Sequence, residues 1–165
     1  MFQLKPITKN SIPQALEKAE RYRFLNEPGE AESICLDILE IDPQNEKAII
    51  TLLLAITDQF GTSSMGHEKQ VKQLLPRLSN EYERHYYAGI ISERMGKATL
   101  AKRIPDGHYI AHEWLTDAMN HYSKAESIRP EGNDDAILRW NTCLRVINSH
   151  HLEPRNEKYI EQQLE

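Results

Sequence analysis

The stretch AMNHYSKAESIRP, Ala118 to Pro130, decides how the rest of the chain is read. Ala118, Tyr122, Ala125 and Pro130 fall at steps of four, three and five. The first three fit one face of a helix, and the proline stands just past its end, where it cannot continue the helical hydrogen bonding. The same spacing occurs earlier in AESICLDILEIDP, through Ala31, Cys35, Ile38 and Pro43. Two occurrences mark a repeat, and a repeat changes what kind of function to look for.

Working outward from these two segments, the chain resolves into seven helices. Ser11 with Gln14, and Pro13 in the first turn, resembles a capping box opening the first helix, whose stripe is Leu16, Ala19 and Tyr22. NEPGE, Asn26 to Glu30, ends it. A second helix carries Ala31, Ile34, Cys35, Ile38 and Leu39 up to Pro43. A third is expected over Glu46 to Phe60. A fourth, after the GTSSMG loop, covers His67 to Leu78, with Pro76 kinking or shortening it. Asn80 begins a fifth helix containing Tyr86, Gly89, Ile90 and Met95. A sixth runs to Arg129, and Asn133, followed by Asp134 and Asp135, caps a seventh through about Asn148. No alternating run argues for a strand. One domain is expected over 11–148, and then a charged tail, 149–165, with a short turn around Tyr159, Ile160 and Leu164.

Composition narrows the function classes. The 165 residues carry 39% hydrophobic and 27% charged side chains, with mean hydropathy −0.63 and a pI near 5.8. At a net charge of −5 the chain has no global electrostatic footprint for nucleic acid or an anionic membrane. MFQLKPITKNSIPQ has no apolar run of signal-peptide length, and AIITLLLAIT, Ala48 to Thr57, falls well short of the roughly 20 residues of a membrane span. Cys35 and Cys143 sit inside apolar helical patterns. They read as reduced core thiols, and a cytoplasmic location is expected with them.

Helix pairs of about 34 residues with small residues at fixed places and a closing proline are the signature of a solenoid. The residues involved resemble the tetratricopeptide repeat (TPR) family. Ala19, Tyr22, Ala31 and Pro43 stand at the family's spacing for small, large, small and proline. The second repeat, from Glu46, keeps the helix pair but has Leu53 at the small position and no closing proline. The third regains the pattern with Gly89, Gly96, Ala118, Tyr122, Ala125 and Pro130. GNDDAILRWNTCLRVI, Gly132 to Ile147, also resembles the ending of uncharacterised bacterial proteins of this group. The resemblance implies an all-α, right-handed solenoid of antiparallel helix pairs, with about three repeats and a C-terminal capping helix. It implies a non-enzymatic protein-protein interaction module that binds a peptide or helix of a partner in a concave groove. Groove-facing candidates mapped from the family pattern are Glu20, Arg23, Phe24, Asp58, Tyr86, Glu93, Arg94, Asn141 and Arg145. The lysine and asparagine clamp of the chaperone-tail-binding members is missing, because Leu16 and Glu20 occupy its first-repeat places and Tyr86 and Tyr87 crowd its third-repeat ones.

The third repeat departs from the pattern. Between Gly96 and Ala118 the chain spends about 17 residues more than between Asn26 and Ala31. KATLAKRI and HYIAHEWL are rich in helix formers, and Pro105-Asp106-Gly107 between them is a turn signal. Both helices should therefore be longer by about two turns, roughly 10 Å. The resulting hairpin, 97–115, is expected to project beyond its neighbours, with Ile110, Trp114, Ala118, Tyr122 and Ala125 on one stripe. This hairpin supports an alternative reading, a structural or homo-oligomerisation module.

Enzyme signatures are sparse. There is no phosphate-binding glycine loop, nucleophile elbow or HExxH. His108 and His112, with Glu113 adjacent, could present two imidazoles to one metal, but no further ligand stands at a suitable spacing. His150 and His151 suit a helix C-terminus, and Lys97, Lys102 and Arg103 read as a solvated face. No cofactor, metal or catalytic residue is assigned.

Overall fold

A computed structural model of the chain describes residues 1–62 and 66–156. Among them are seven α-helices: α1 (Ile12–Phe24), α2 (Pro28–Ile41), α3 (Glu46–Thr57), α4 (His67–Leu74), α5 (Glu81–Lys102), α6 (Gly107–Ser127) and α7 (Asp135–Ser149). Within α1–α4 and within α5–α7 successive helices pack antiparallel, and no strand occurs among the described residues. None of the described helices is long and apolar enough to cross a membrane. The turn expected around Tyr159, Ile160 and Leu164, and the centre of the GTSSMG loop, lie outside the described residues.

The chain divides into two compact units, one ending at Ser79 and one beginning at Asn80. In the first, α1 ends where Asn26 takes φ 59°. Glu27 N–H then donates to Tyr22 O (2.9 Å) and Asn26 N–H to Arg23 O (3.0 Å), the paired bonds of a Schellman turn. Pro28 opens α2 at once, since a proline in the first turn loses no helical bond. Asn45 caps α3 by accepting from Ala48 N–H at 3.0 Å. Pro76 turns the end of α4 into a single 3-10 turn, Leu75–Arg77, as its missing N–H requires. The capping box at Ser11 is not formed. The Ser11 hydroxyl instead donates backwards to Thr8 O (2.7 Å), because residues 9–11 already make a 3-10 turn.

Ala19, Ala31, Cys35 and Ile38 have no solvent exposure, and neither do Ile49, Leu53 and Ile56 of α3. Each buried Leu or Ile contributes about 1.5–3 kcal/mol against its exposed state. The unit closes through Glu46, whose carboxylate accepts the Ser79 backbone N–H (2.7 Å) and hydroxyl, and through Arg77, which donates to Pro43 O (2.6 Å).

The second unit is built on the long hairpin of α5 and α6, 22 and 21 residues, so the added chain is helical as the sequence indicates. Asn80 caps α5 by accepting from Glu83 N–H, and Asn133 accepts from Asp135 N–H at the start of α7. The buried line of α6 differs from the expected one. It runs through Ala111, Leu115, Ala118, Tyr122 and Ala125, all at 0% exposure, while Ile110 and Trp114 are half-buried. Three successive steps of four, from Ile110 to Tyr122, drift off a helix face, and alternating three and four holds it. The tip also does not stand clear of its neighbours. The end of α7 and the following segment border it, and the Arg155 guanidinium lies 6.0 Å from the centre of the Tyr109 ring. A second Schellman turn makes this possible: His151 takes φ 51°, and Leu152, 5% exposed, donates its N–H to Ile147 O.

Candidate functional site

In the first unit, α1 and the residue after α3 bring two of the expected site residues together. Arg23 Nε lies 2.8 Å from Asp58 Oδ2, with Nη2 3.4 Å from Oδ1, and both side chains are about a quarter exposed. Phe24, the next residue, is 89% exposed and Leu25 is 61% exposed. Glu20, one turn earlier on α1, is exposed.

In the second unit the expected residues separate into two environments. Arg145 is exposed, and Arg94 and Asn141 are half-buried. Tyr86 belongs to an aromatic group, stacked on Tyr82 with ring centres 5.8 Å apart, edge-on to Tyr87 at 5.2 Å and tilted to Tyr122 at 5.9 Å. Glu93, expected on an open groove face, is only 1% exposed. Its carboxylate accepts the Tyr122 hydroxyl at 2.7 Å, the Lys97 ammonium one turn on, and Arg139 Nη1 at 3.3 Å.

Physical chemistry explains how this carboxylate is held. A buried charge is tolerated when it is paired and hydrogen-bonded, and three donors from three helices surround this one. Burial, then the nearby Glu93 charge, pushes the Tyr122 hydroxyl far above the usual phenol range, so it stays a donor. For Arg139, burial opposes the charge, but Glu93 and the Tyr86 hydroxyl together hold its pKa above the ordinary value. Cys143 is pushed up to about 12 by burial first and by Glu93 second. Burial likewise raises Cys35 to about 12. Both cysteines are free, buried thiols.

Sequence reasoning missed Arg139 and undervalued Lys97. The Glu93–Lys97 spacing of four is a legible helical ion pair. Arg139 lies 46 residues away, and no local pattern announces it.

His108 is exposed at the start of α6 and His112 is half-buried one turn on. Among the described residues no three His, Cys, Asp or Glu side chains converge as a metal ion would need. Two cavities lie at the hairpin end. One, about 420 Å³, includes Thr99, Arg103, Asp106, His108 and Glu153 in its wall. The other, about 690 Å³, is bounded by Lys97, Leu100, Ala101, Arg103, His108, Val146 and His150. A third arrangement, on α5 and α6, sets His85 and His121 with ring centres 6.3 Å apart, beside Asp117, which accepts the Ser92 hydroxyl at 2.6 Å. No protein-family model, curated protein or solved structure matches the chain.

Proposed function

We propose that the chain is a non-enzymatic protein-binding module of the tetratricopeptide kind, taking a segment of a partner on the faces of the first helices of its hairpins. The observation that carries this reading is the Arg23–Asp58 pair, which joins α1 to the end of α3 across 35 residues. In a right-handed stack of helix pairs the first helices of successive pairs adjoin and line the concave side. The Glu93–Arg139 contact between α5 and α7 has the same character. Further support comes from Ala19, Ala31, Ala118 and Ala125, small residues without solvent exposure, and from Gly89, against which the Tyr122 ring lies. Exposed Phe24 beside an arginine about a quarter exposed has the make-up of an interface anchor.

The test is capture from the native cell lysate by the wild type, by Phe24→Ser and by the double variant Arg94→Ala, Arg145→Ala. Both variants should lose the same partner. In a titration the double variant should bind it more weakly by over about 1 kcal/mol, with helicity intact. A partner kept by both variants, but lost in Ile104→Ser with Tyr109→Ser, would move the site to the hairpin tip. Light scattering that then showed a dimer would make oligomerisation the better account.

A further inference from the structure

We propose that the cavity between the tip of the α5–α6 hairpin and the C-terminal end of α7 docks an acidic segment of a partner protein, with carboxylates flanking small apolar side chains. This goes beyond the groove reading and does not depend on it, since the wall residues belong to the second unit and none is a groove candidate.

The argument begins with charge. Lys97, Arg103, His108 and His150 line the cavity of about 690 Å³, and no carboxylate does. In a chain of net charge −5 this is a local concentration of basic groups, not a reflection of composition. Lys97 is already shared with buried Glu93. The Arg103, His108 and His150 side chains, by contrast, make no hydrogen bond or ion pair among the described residues. They are donors awaiting an acceptor, and charge-assisted bonds to carboxylate are the strong kind. The neighbouring cavity shares Leu100, Arg103 and His108 but adds Asp106 and Glu153. Those acids repel a negative segment from that side and direct it toward α7.

The floor selects among acidic ligands. Leu100, Ala101 and Val146 offer aliphatic surface between the basic groups, which suits a peptide whose carboxylates alternate with apolar side chains. A nucleic acid strand would want broad aromatic side chains for stacking, and no phenylalanine, tyrosine or tryptophan lines this cavity. The negative chain as a whole would also repel a long polyanion.

The full chain is titrated, by fluorescence anisotropy, into a labelled peptide of alternating glutamate and leucine and into its glutamine analogue. The acidic peptide should bind at least about tenfold tighter, and raising the salt should weaken it. Arg103 holds φ 49°, a conformation asparagine tolerates, so Arg103→Asn removes the charge without disturbing the turn. Together with His150→Ser it should lower affinity about tenfold, whereas Arg103→Lys should retain binding. Lys124→Ser removes one full positive charge, as Arg103→Asn does, 16 residues along α6 from His108, about 24 Å away, and should leave affinity within about twofold. Circular dichroism establishes that each variant is folded. Equal binding of the glutamine analogue, equal loss in Lys124→Ser, no binding of the acidic peptide, or preference for single-stranded oligothymidylate would each overturn the proposal.

Discussion

The buried positions of α1–α4 are aliphatic almost throughout, whereas α5–α7 bury a carboxylate, a phenol hydroxyl and three glycine backbones at comparable depth. Aliphatic burial is non-directional and tolerates substitutions that conserve volume. A carboxylate with three donors tolerates almost none, since losing it strands its partners. The first unit should therefore be robust to single changes in its polar residues, and the second sensitive to them. Both tryptophans, Trp114 and Trp140, lie in the second unit. Tryptophan fluorescence thus follows that unit alone, while circular dichroism follows both.

The largest expected effect is at Glu93. Glu93→Ala would leave Arg139 and Lys97 without their shared carboxylate and the buried Tyr122 hydroxyl without an acceptor. The cost should be about 3 kcal/mol, at the low end for broken buried pairs because Arg139 and Lys97 keep partial access to water. Glu93→Gln, which keeps an acceptor, should cost less. The matching change in the first unit is Glu32→Ala, which removes one partly buried hydrogen bond to Gln59 and should cost below about 1 kcal/mol. Urea unfolding measures each. Similar losses for Glu93→Ala and Glu32→Ala would erase the distinction between the units.

Glycines sharpen the comparison at intermediate size. A Cβ on Gly89 would lie 2.4 Å from Tyr122 Cε1, and the ring cannot swing away while its hydroxyl is held by Glu93. Gly89→Ala should therefore destabilise by about 1–3 kcal/mol through overpacking, despite alanine's better helix propensity. Gly29, in the first turn of α2, has nothing within 4 Å of such a Cβ. There the same substitution should stabilise by about 0.5 kcal/mol. Opposite signs in the two units are the expected result, and a neutral Gly89→Ala would show that the crossing can relax.

What was legible in the sequence follows from range. Helix periodicity, Pro43, Pro76 and Pro130, and the asparagines Asn80 and Asn133 at helix starts act within a few residues, so the seven helices could be read off. The long hairpin was readable for the same reason, because its extra residues are good helix formers on both sides of Pro105-Asp106-Gly107. The Ser11 cap failed to form because the preceding turn competes for the same hydroxyl. The end of α7 falls within a residue of the expected one, but the burial of Leu152 was not readable, because His151, not glycine, takes the left-handed position that lets Leu152 fold back into the core. Helical spacing does set Glu93 on the buried face of α5 with Gly89, Ile90 and Gly96. What was not readable is how a carboxylate there is satisfied, since two of its three partners come from other helices.

The smallest effect concerns pH and tests whether the polar interior of the second unit has a cost of its own. His121 has its Nδ1 buried without a partner and its Nε2 3.6 Å from Asp117 Oδ2. Burial, the largest influence, lowers its pKa below the ordinary 6.5. Asp117 works against that, and Lys124 and His85 reinforce it. Asp117 is partly engaged by the Ser92 hydroxyl, and His85 has its own acid, Glu81, at 3.9 Å. As pH falls, the unfolded chain takes up the His121 proton before the folded one does. The stability contributed by the neutral imidazole is therefore whole above about 6.5 and is lost as pH drops through the lower folded value. His121→Gln should remove that part of the pH dependence, an effect below about 1 kcal/mol. The readout is the urea midpoint by tryptophan fluorescence between about pH 7.5 and 5. The wild type should lose more over that interval than the variant. Parallel curves would mean that His121 titrates as freely as in the unfolded chain, and that its buried nitrogen gains a water on protonation.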